Sequence, residues 1–224
     1  MIKKFLSDFK RAYKQDNKSF FLLVAYGLYA LTTYELFNRP FGTVRNLKMP
    51  IDDMIPFIKE LIVVYHMYMP MILLTAVLVF VYDNKQYKRF IITLFVAQTF
   101  SYVIYMTYQT YVPRYDISLL GDDIFSKLVK LTYSVDNTYS GLPSMHVANM
   151  TLSSIFLSKT SISPRIKKPL IAFMILIGAT TVLVKQHVII DVPSGLVYAI
   201  ATYLLTKFVM DVYENKADEA YNSK

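Results

Sequence analysis

An all-α, polytopic membrane bundle of about six transmembrane helices is the fold class this sequence predicts, and three observations predict it. The 224 residues are 54% hydrophobic with a mean hydropathy of +0.36, above the roughly 45–50% apolar share usual for soluble domains. Apolar runs near 20 residues long recur along the chain, each enough to cross about 30 Å of hydrocarbon. Those runs also sort the cations, with sixteen of the 24 Lys and Arg residues falling on one face. Cytoplasmic loops of membrane proteins carry such an excess.

Residues 1–18 form a basic segment of amphipathic spacing, with Lys3, Lys4, Lys10, Arg11, Lys14 and Lys18. It is expected to lie on the cytoplasmic lipid surface. The first span covers about 19–37, too long for a cleavable signal. Residues 38–60 read as an outer loop in which Met49-Pro50-Ile51-Asp52-Asp53 starts a short helix, its aspartates in the first turn. The second span, about 61–82, carries His66 beside Tyr65 and Tyr68 in a helix-packing role. Lys85, Lys88 and Arg89 lead to the third, about 90–108, rich in Thr, Ser and Gln. Residues 109–143 make the longest outer segment, polar and Tyr-rich, suited to cap a substrate. Spans four to six cover about 146–162, 169–185 and 188–209, and a charged tail, 211–224, is expected to fray. One membrane domain, residues 19–210, then accounts for most of the chain, in the cell membrane with both termini cytoplasmic.

The net charge of +8 raises the question of nucleic acid, but its one-sided distribution points to membrane lipids instead. With no cysteine, disulfides, thiolate metal sites and cysteine nucleophiles are excluded. The 19 tyrosines, without a single tryptophan, read as interfacial anchors.

Three clusters fall at outer ends of the spans. Tyr111-Val112-Pro113-Arg114-Tyr115 follows span three, and Gly141-Leu142-Pro143-Ser144-Met145-His146 opens span four. Lys185-Gln186-His187-Val188-Ile189-Ile190-Asp191 joins spans five and six. His187 and Asp191 stand four residues apart, on one face if the segment is helical. The carboxylate then fixes the imidazole tautomer through Nδ1 and leaves Nε2 free to attack. An ionisable pair in a membrane segment is costly enough that its default reading is functional. His146 and His187 are separated by roughly two crossings of about 20 residues each, so the two rings are expected to meet at the same mouth.

Phosphoryl transfer suits such a set. A neutral His187 attacks phosphorus, Asp191 stabilises the developing imidazolium, and protonated His146 gives a proton to the leaving oxygen. Arg114 and Lys185 offer positive charge to phosphate oxygens. Ser144 and the first N–H groups of span four form an anion seat, with Gln109 and Tyr115 as candidate substrate contacts. The blander readings are a structural His187–Asp191 pair, an interfacial snorkelling role for Arg114, and helix-start roles for Asp52 and Asp53. A metal site is disfavoured because only His146 offers a further nitrogen ligand; neither metal nor cofactor is expected.

At these residues the chain resembles the type 2 phosphatidic acid phosphatase superfamily of integral membrane lipid phosphatases and phosphotransferases. That family's signatures are Lys-x6-Arg-Pro, Pro-Ser-Gly-His and Ser-Arg-x5-His-x3-Asp. Pro143-Ser144-Met145-His146 matches the second with Met for Gly. His187-x3-Asp191 matches the end of the third, with Thr180 and Thr181 in place of Ser-Arg. The first is met only at Arg114, since Thr107 replaces its Lys and Tyr115 its Pro. The wording also resembles a branch that includes inositol phosphorylceramide synthases and bacterial relatives, in which Lys185 would supply the missing arginine's charge. The resemblance implies His187 as nucleophile, Asp191 as its orienter, His146 as acid, and Arg114, Lys185 and Ser144 as the phosphate site. It implies a metal-independent lipid phosphatase acting at the outer leaflet through a phosphohistidine. The alternatives are a head-group phosphotransferase using the same triad and a non-enzymatic lipid transporter or scaffold. A transporter would place ionisable groups nearer mid-bilayer.

Overall fold

A computed structural model describes residues 2–222. Its helices are α1 (Ile2–Gln15), α2 (Asn17–Phe37), α3 (Pro50–Met54), α4 (Ile62–His66) and α5 (Tyr68–Tyr82). They continue with α6 (Asn84–Thr107), α7 (Ile124–Val135), α8 (Met145–Lys159), α9 (Pro164–Leu183) and α10 (Asp191–Asn222). Two short strands, β1 (Arg45–Asn46) and β2 (Thr110–Tyr111), pair in parallel. The fold is the all-α polytopic bundle the sequence predicts. Five helical stretches are long and apolar enough to cross a membrane: α2, residues 59–82, α6, α9 and α10.

Polarity in this bundle runs outward from polar to apolar. Phe21, Leu31, Ile175, Val197 and Phe208 are largely exposed, while Thr75, Gln98, Ser101, Ser153 and Thr181 are buried. In hydrocarbon an outward Leu costs nothing, whereas an inward hydroxyl finds a partner on the next helix. Thr93 of α6 thus meets Thr206 of α10 at 3.0 Å, and Thr33 of α2 meets Tyr102 of α6 at 2.8 Å.

The fourth expected span is the one that differs. Helix α8 has only 15 residues, short of the roughly 20 a crossing needs. It packs on α5, α6, α9 and α10 and so stands at the bundle centre, walled by protein. A helix in that position has no lipid-facing stripe to fill, which is why its sequence carries Asn149, Ser153 and Ser154. Span two also breaks at Met67. Pro70 has no N–H for the His66 carbonyl, the N–H of Met67 reaches back to Val64 O at 3.0 Å, and the helix restarts as α5.

At the opposite end from the long loops, Asp16 caps α2 by accepting from Ser19 N at 3.0 Å and pairs with Lys88 at 2.6 Å. The Lys88 ammonium, then Ser19, hold the Asp16 carboxyl down at about 2. Phe9 and Tyr13 of α1 pack edge-on against Phe20, so part of the amphipathic stripe rests on the bundle itself. The tail expected to fray instead prolongs α10 to Asn222. Arg89 pairs with Asp211 at 2.6 Å and Glu214 at 2.8 Å, which fastens that extension to α6.

Candidate active site

Two helix starts meet at the end of the bundle that carries the long loops. Ser144 is the N-cap of α8 and its Oγ accepts from Val147 N at 3.3 Å. Its own N–H donates to Asp191 O at 3.3 Å, tying the head of α8 to the head of α10. The approach is close enough that a Cβ on Gly195 would lie 2.6 Å from Ser144 O, so only glycine fits this crossing.

His187 and Asp191 do meet, but not along a helix as the spacing suggests. Residues 184–190 form a turn, and α10 begins only at Asp191. The carboxylate folds back over that turn, where Oδ2 accepts from His187 Nδ1 at 3.0 Å and from Val188 N at 3.1 Å. With Nδ1 committed as donor to a fully buried carboxylate, Nε2 carries the lone pair. The His146 ring lies 5.8 Å from the His187 ring, centroid to centroid, at 69°. Tyr68 and Tyr65 hold it from the other side at 4.2 and 4.7 Å. The Tyr68 hydroxyl accepts in turn from Asn149 Nδ2 at 2.5 Å. The two imidazoles therefore meet edge to face, one held by the Asp191 carboxylate and the other by two tyrosine rings.

The turn that carries His187 is held by parts of the chain remote in sequence. Asp52 reaches back to the start of α3, its Oδ2 accepting from Met49 N at 2.8 Å, as expected of a helix-start residue. Its Oδ1 also accepts from Ile189 N at 2.7 Å, a role that nothing local in the sequence signals. Tyr133 donates its hydroxyl to Val184 O at 2.8 Å, and burial pushes that phenol up to about 12. Gln186 N and His187 N both donate to Thr181 O, at 2.8 and 3.1 Å. Lys185, just before them, has a φ of 55°, a left-handed conformation costly for a side chain other than glycine.

The other expected contacts are spread around this centre. The Lys185 ammonium donates to Asp52 O and Ile55 O at 2.9 and 2.7 Å, and so braces the turn against α3. Arg114 donates to Tyr133 O, Asp136 O and Asn137 O at 3.0, 2.6 and 3.1 Å, capping the end of α7. It also donates to Gln186 Oε1 at 3.1 Å. Gln109 is buried between loops, accepting from Phe41 N at 2.6 Å and donating to Arg39 O at 2.7 Å. Tyr115 stacks on Phe57 at 4.0 Å. His66 bonds Thr132 of α7 at 2.9 Å, in keeping with a packing role. Neither Arg114, Lys185, Gln109 nor Tyr115 lines the cavity that the two histidines face.

That cavity holds about 400 Å³. Asp136, Asn137, Thr138 and Ser140 give it a polar edge near Gln186 and the histidines. Leu31, Met69, Leu131 and Val135 give it apolar lining as well, and all four are exposed. Tyr34 donates to Asp136, and Asn38 Nδ2 reaches the same carboxylate at 2.8 Å; this joins α2 to α7 along one wall. No cluster of three metal-ligating side chains occurs among the described residues.

A polytopic helical membrane protein with paired imidazoles at the edge of an internal cavity is the class that fold and site define. The chain belongs to the PAP2 superfamily, one of whose family models matches residues 51–205. That stretch takes in nearly all of α3, all three histidines, Asp191 and the first half of α10, as far as residue 205. No curated protein and no solved structure matches the chain.

Proposed function

We propose that this protein is an integral membrane lipid phosphatase that hydrolyses a lipid phosphate or pyrophosphate at the outer leaflet through a phosphohistidine. One observation carries the reading: two imidazoles meet edge to face 5.8 Å apart, one of them tied through Nδ1 to a buried carboxylate. Membership of the superfamily supports a phosphatase-type activity.

In the first step His187 Nε2 attacks phosphorus and forms a P–N bond as the P–O bond to the leaving group breaks. His146, protonated, gives its proton to the departing oxygen. Asp191 holds the proton on Nδ1 and stabilises the positive charge that builds on the ring. In the second step neutral His146 takes a proton from water, the water oxygen attacks phosphorus, and the P–N bond breaks to release phosphate. The α8 N-terminus contributes a favourable dipole to the phosphoryl oxygens. The acyl or prenyl tail lies along the apolar side of the cavity, between α2, α5 and α7.

The polar edge at Asp136, Asn137, Thr138 and Ser140 favours a second reading, in which an alcohol replaces water and the enzyme transfers a phosphoryl or head group. Phosphate release from a panel of lipid phosphates, without and with candidate alcohols, separates the two. His187→Ala, His146→Ala and Asp191→Asn are each expected to lower turnover on the order of 10³-fold or more. Undiminished hydrolysis by His187→Ala overturns the mechanism.

A further inference from the structure

We infer that Gln186 is the neutral donor that seats the phosphoryl group beside His187, with Arg114 acting through it as a positioning residue. This rests on the phosphoryl-transfer reading above. The residues lining the cavity include no Lys or Arg, and Asp136 is their one formally charged side chain apart from the histidines. The two cations expected there are engaged elsewhere: Lys185 on main-chain carbonyls at α3, and Arg114 on main-chain carbonyls at the end of α7 and on the Asp136 carboxylate at 3.6 Å. A phosphoryl oxygen beside His187 therefore needs a donor from another source.

Gln186 fits that need on three grounds. It lines the cavity and precedes His187 directly, and both backbone N–H groups are fixed on the same Thr181 carbonyl. Its amide orientation is settled by Arg114, which has only donors to offer. The bond from Arg114 Nη2 at 3.1 Å makes the Gln186 oxygen the acceptor and gives Nε2 to the other side. That Nε2 is buried and has no hydrogen-bond partner among the described residues, in a side chain only 6% exposed. A buried N–H left unpaired has lost its water without regaining a partner, a deficit that a phosphoryl oxygen would remove. Donation by the Arg114 guanidinium into Oε1 also polarises the amide and strengthens its N–H as a donor. The charge of Arg114 thus reaches the phosphate through one neutral side chain.

Gln186→Glu distinguishes this role from simple anchoring. The carboxylate keeps an acceptor for Arg114, now charge-assisted, but removes the donor and sets a negative charge against the phosphate. The full chain, purified in detergent, is assayed for phosphate release and for stabilisation by orthovanadate, with native protein and His187→Ala alongside. Gln186→Glu is expected to keep the native melting temperature and to lose the orthovanadate-induced rise. Its kcat should fall about 10²–10³-fold, the cost of removing one preorganised oxyanion donor. Gln186→Met, of similar length and without a donor, is the second variant and should lose the same orthovanadate response. If either variant, folded, keeps near-native turnover and orthovanadate response while His187→Ala is inactive, the assignment of Gln186 falls and the phosphohistidine reading stands. Turnover surviving in His187→Ala overturns both.

Discussion

Gly141 shows how little room surrounds the carboxylate that orients His187. A Cβ there would lie 2.8 Å from Thr110 Oγ1, 3.0 Å from Val112 Cγ2 and 3.3 Å from Asp191 Oδ2. The first two contacts are too tight to absorb without a shift, and the third sets the direction in which the shift is felt. Gly141→Ala is therefore expected to lower kcat about tenfold, equivalent to 1.4 kcal/mol of transition-state stabilisation, with a smaller change in KM; steady-state kinetics on a lipid phosphate checks it. At this scale the sequence is informative where partners are near in the chain. His187 and Asp191 were legible because four residues separate them, although the turn geometry that joins them was not. The hydrogen bonds of Arg114 were illegible for the opposite reason. Its acceptors are carbonyls at the end of α7, and main-chain oxygens carry no sequence signature. Asp52 was legible as a helix-start residue from Pro50 and its neighbours, but its grip on Ile189 N depends on how α3 docks.

Helices declare themselves through their exteriors better than through their ends: α6 and α9 start six and five residues before the apolar runs that mark them, at Asn84 and Pro164. Helix α2 spans Asn17–Phe37 against about 19–37 from apolar run length alone. Helix α8 was harder, because a rod surrounded by other helices needs no continuous apolar face. The α10 extension was missed since its support comes from Arg89, on a different helix. The junction of α1 and α2 gives a test in pH. The folded Asp16 carboxyl lies at about 2, below its ordinary value near 3.9. Its contribution is thus complete above the unfolded value and lost as pH falls toward 2. Asp16→Asn keeps a capping oxygen but not the pairing with Lys88. The native protein should therefore melt higher than Asp16→Asn at pH 6, and the gap should shrink steadily between pH 4 and pH 2. A gap independent of pH would remove the ion pair from the account.

Across the whole molecule, apolar exteriors and buried hydroxyls give a body whose cavity beside the histidines is lined in part by side chains that are themselves exposed. Leu31 and Val135 are 64% and 74% exposed and line that cavity as well. If a tail lies there, Leu31→Trp or Val135→Trp should reduce kcat/KM for a long-chain lipid phosphate about tenfold, or 1.4 kcal/mol. A short, water-soluble phosphate ester should be turned over as before. Equal losses on both substrates would point away from lateral entry. The overall class was legible because a bilayer imposes run lengths and charge asymmetry on any sequence that crosses it. The cavity was not, since it is the space left between helices packed at particular angles. The shortness of α8 has a consequence of its own. Fifteen residues at about 1.5 Å each make a rod of about 22 Å, against a hydrocarbon slab of about 30 Å. If Lys159 is held at one boundary of that slab, His146 stops several ångströms short of the other, and a lipid substrate would have to dip its phosphate below its neighbours' headgroups to reach it.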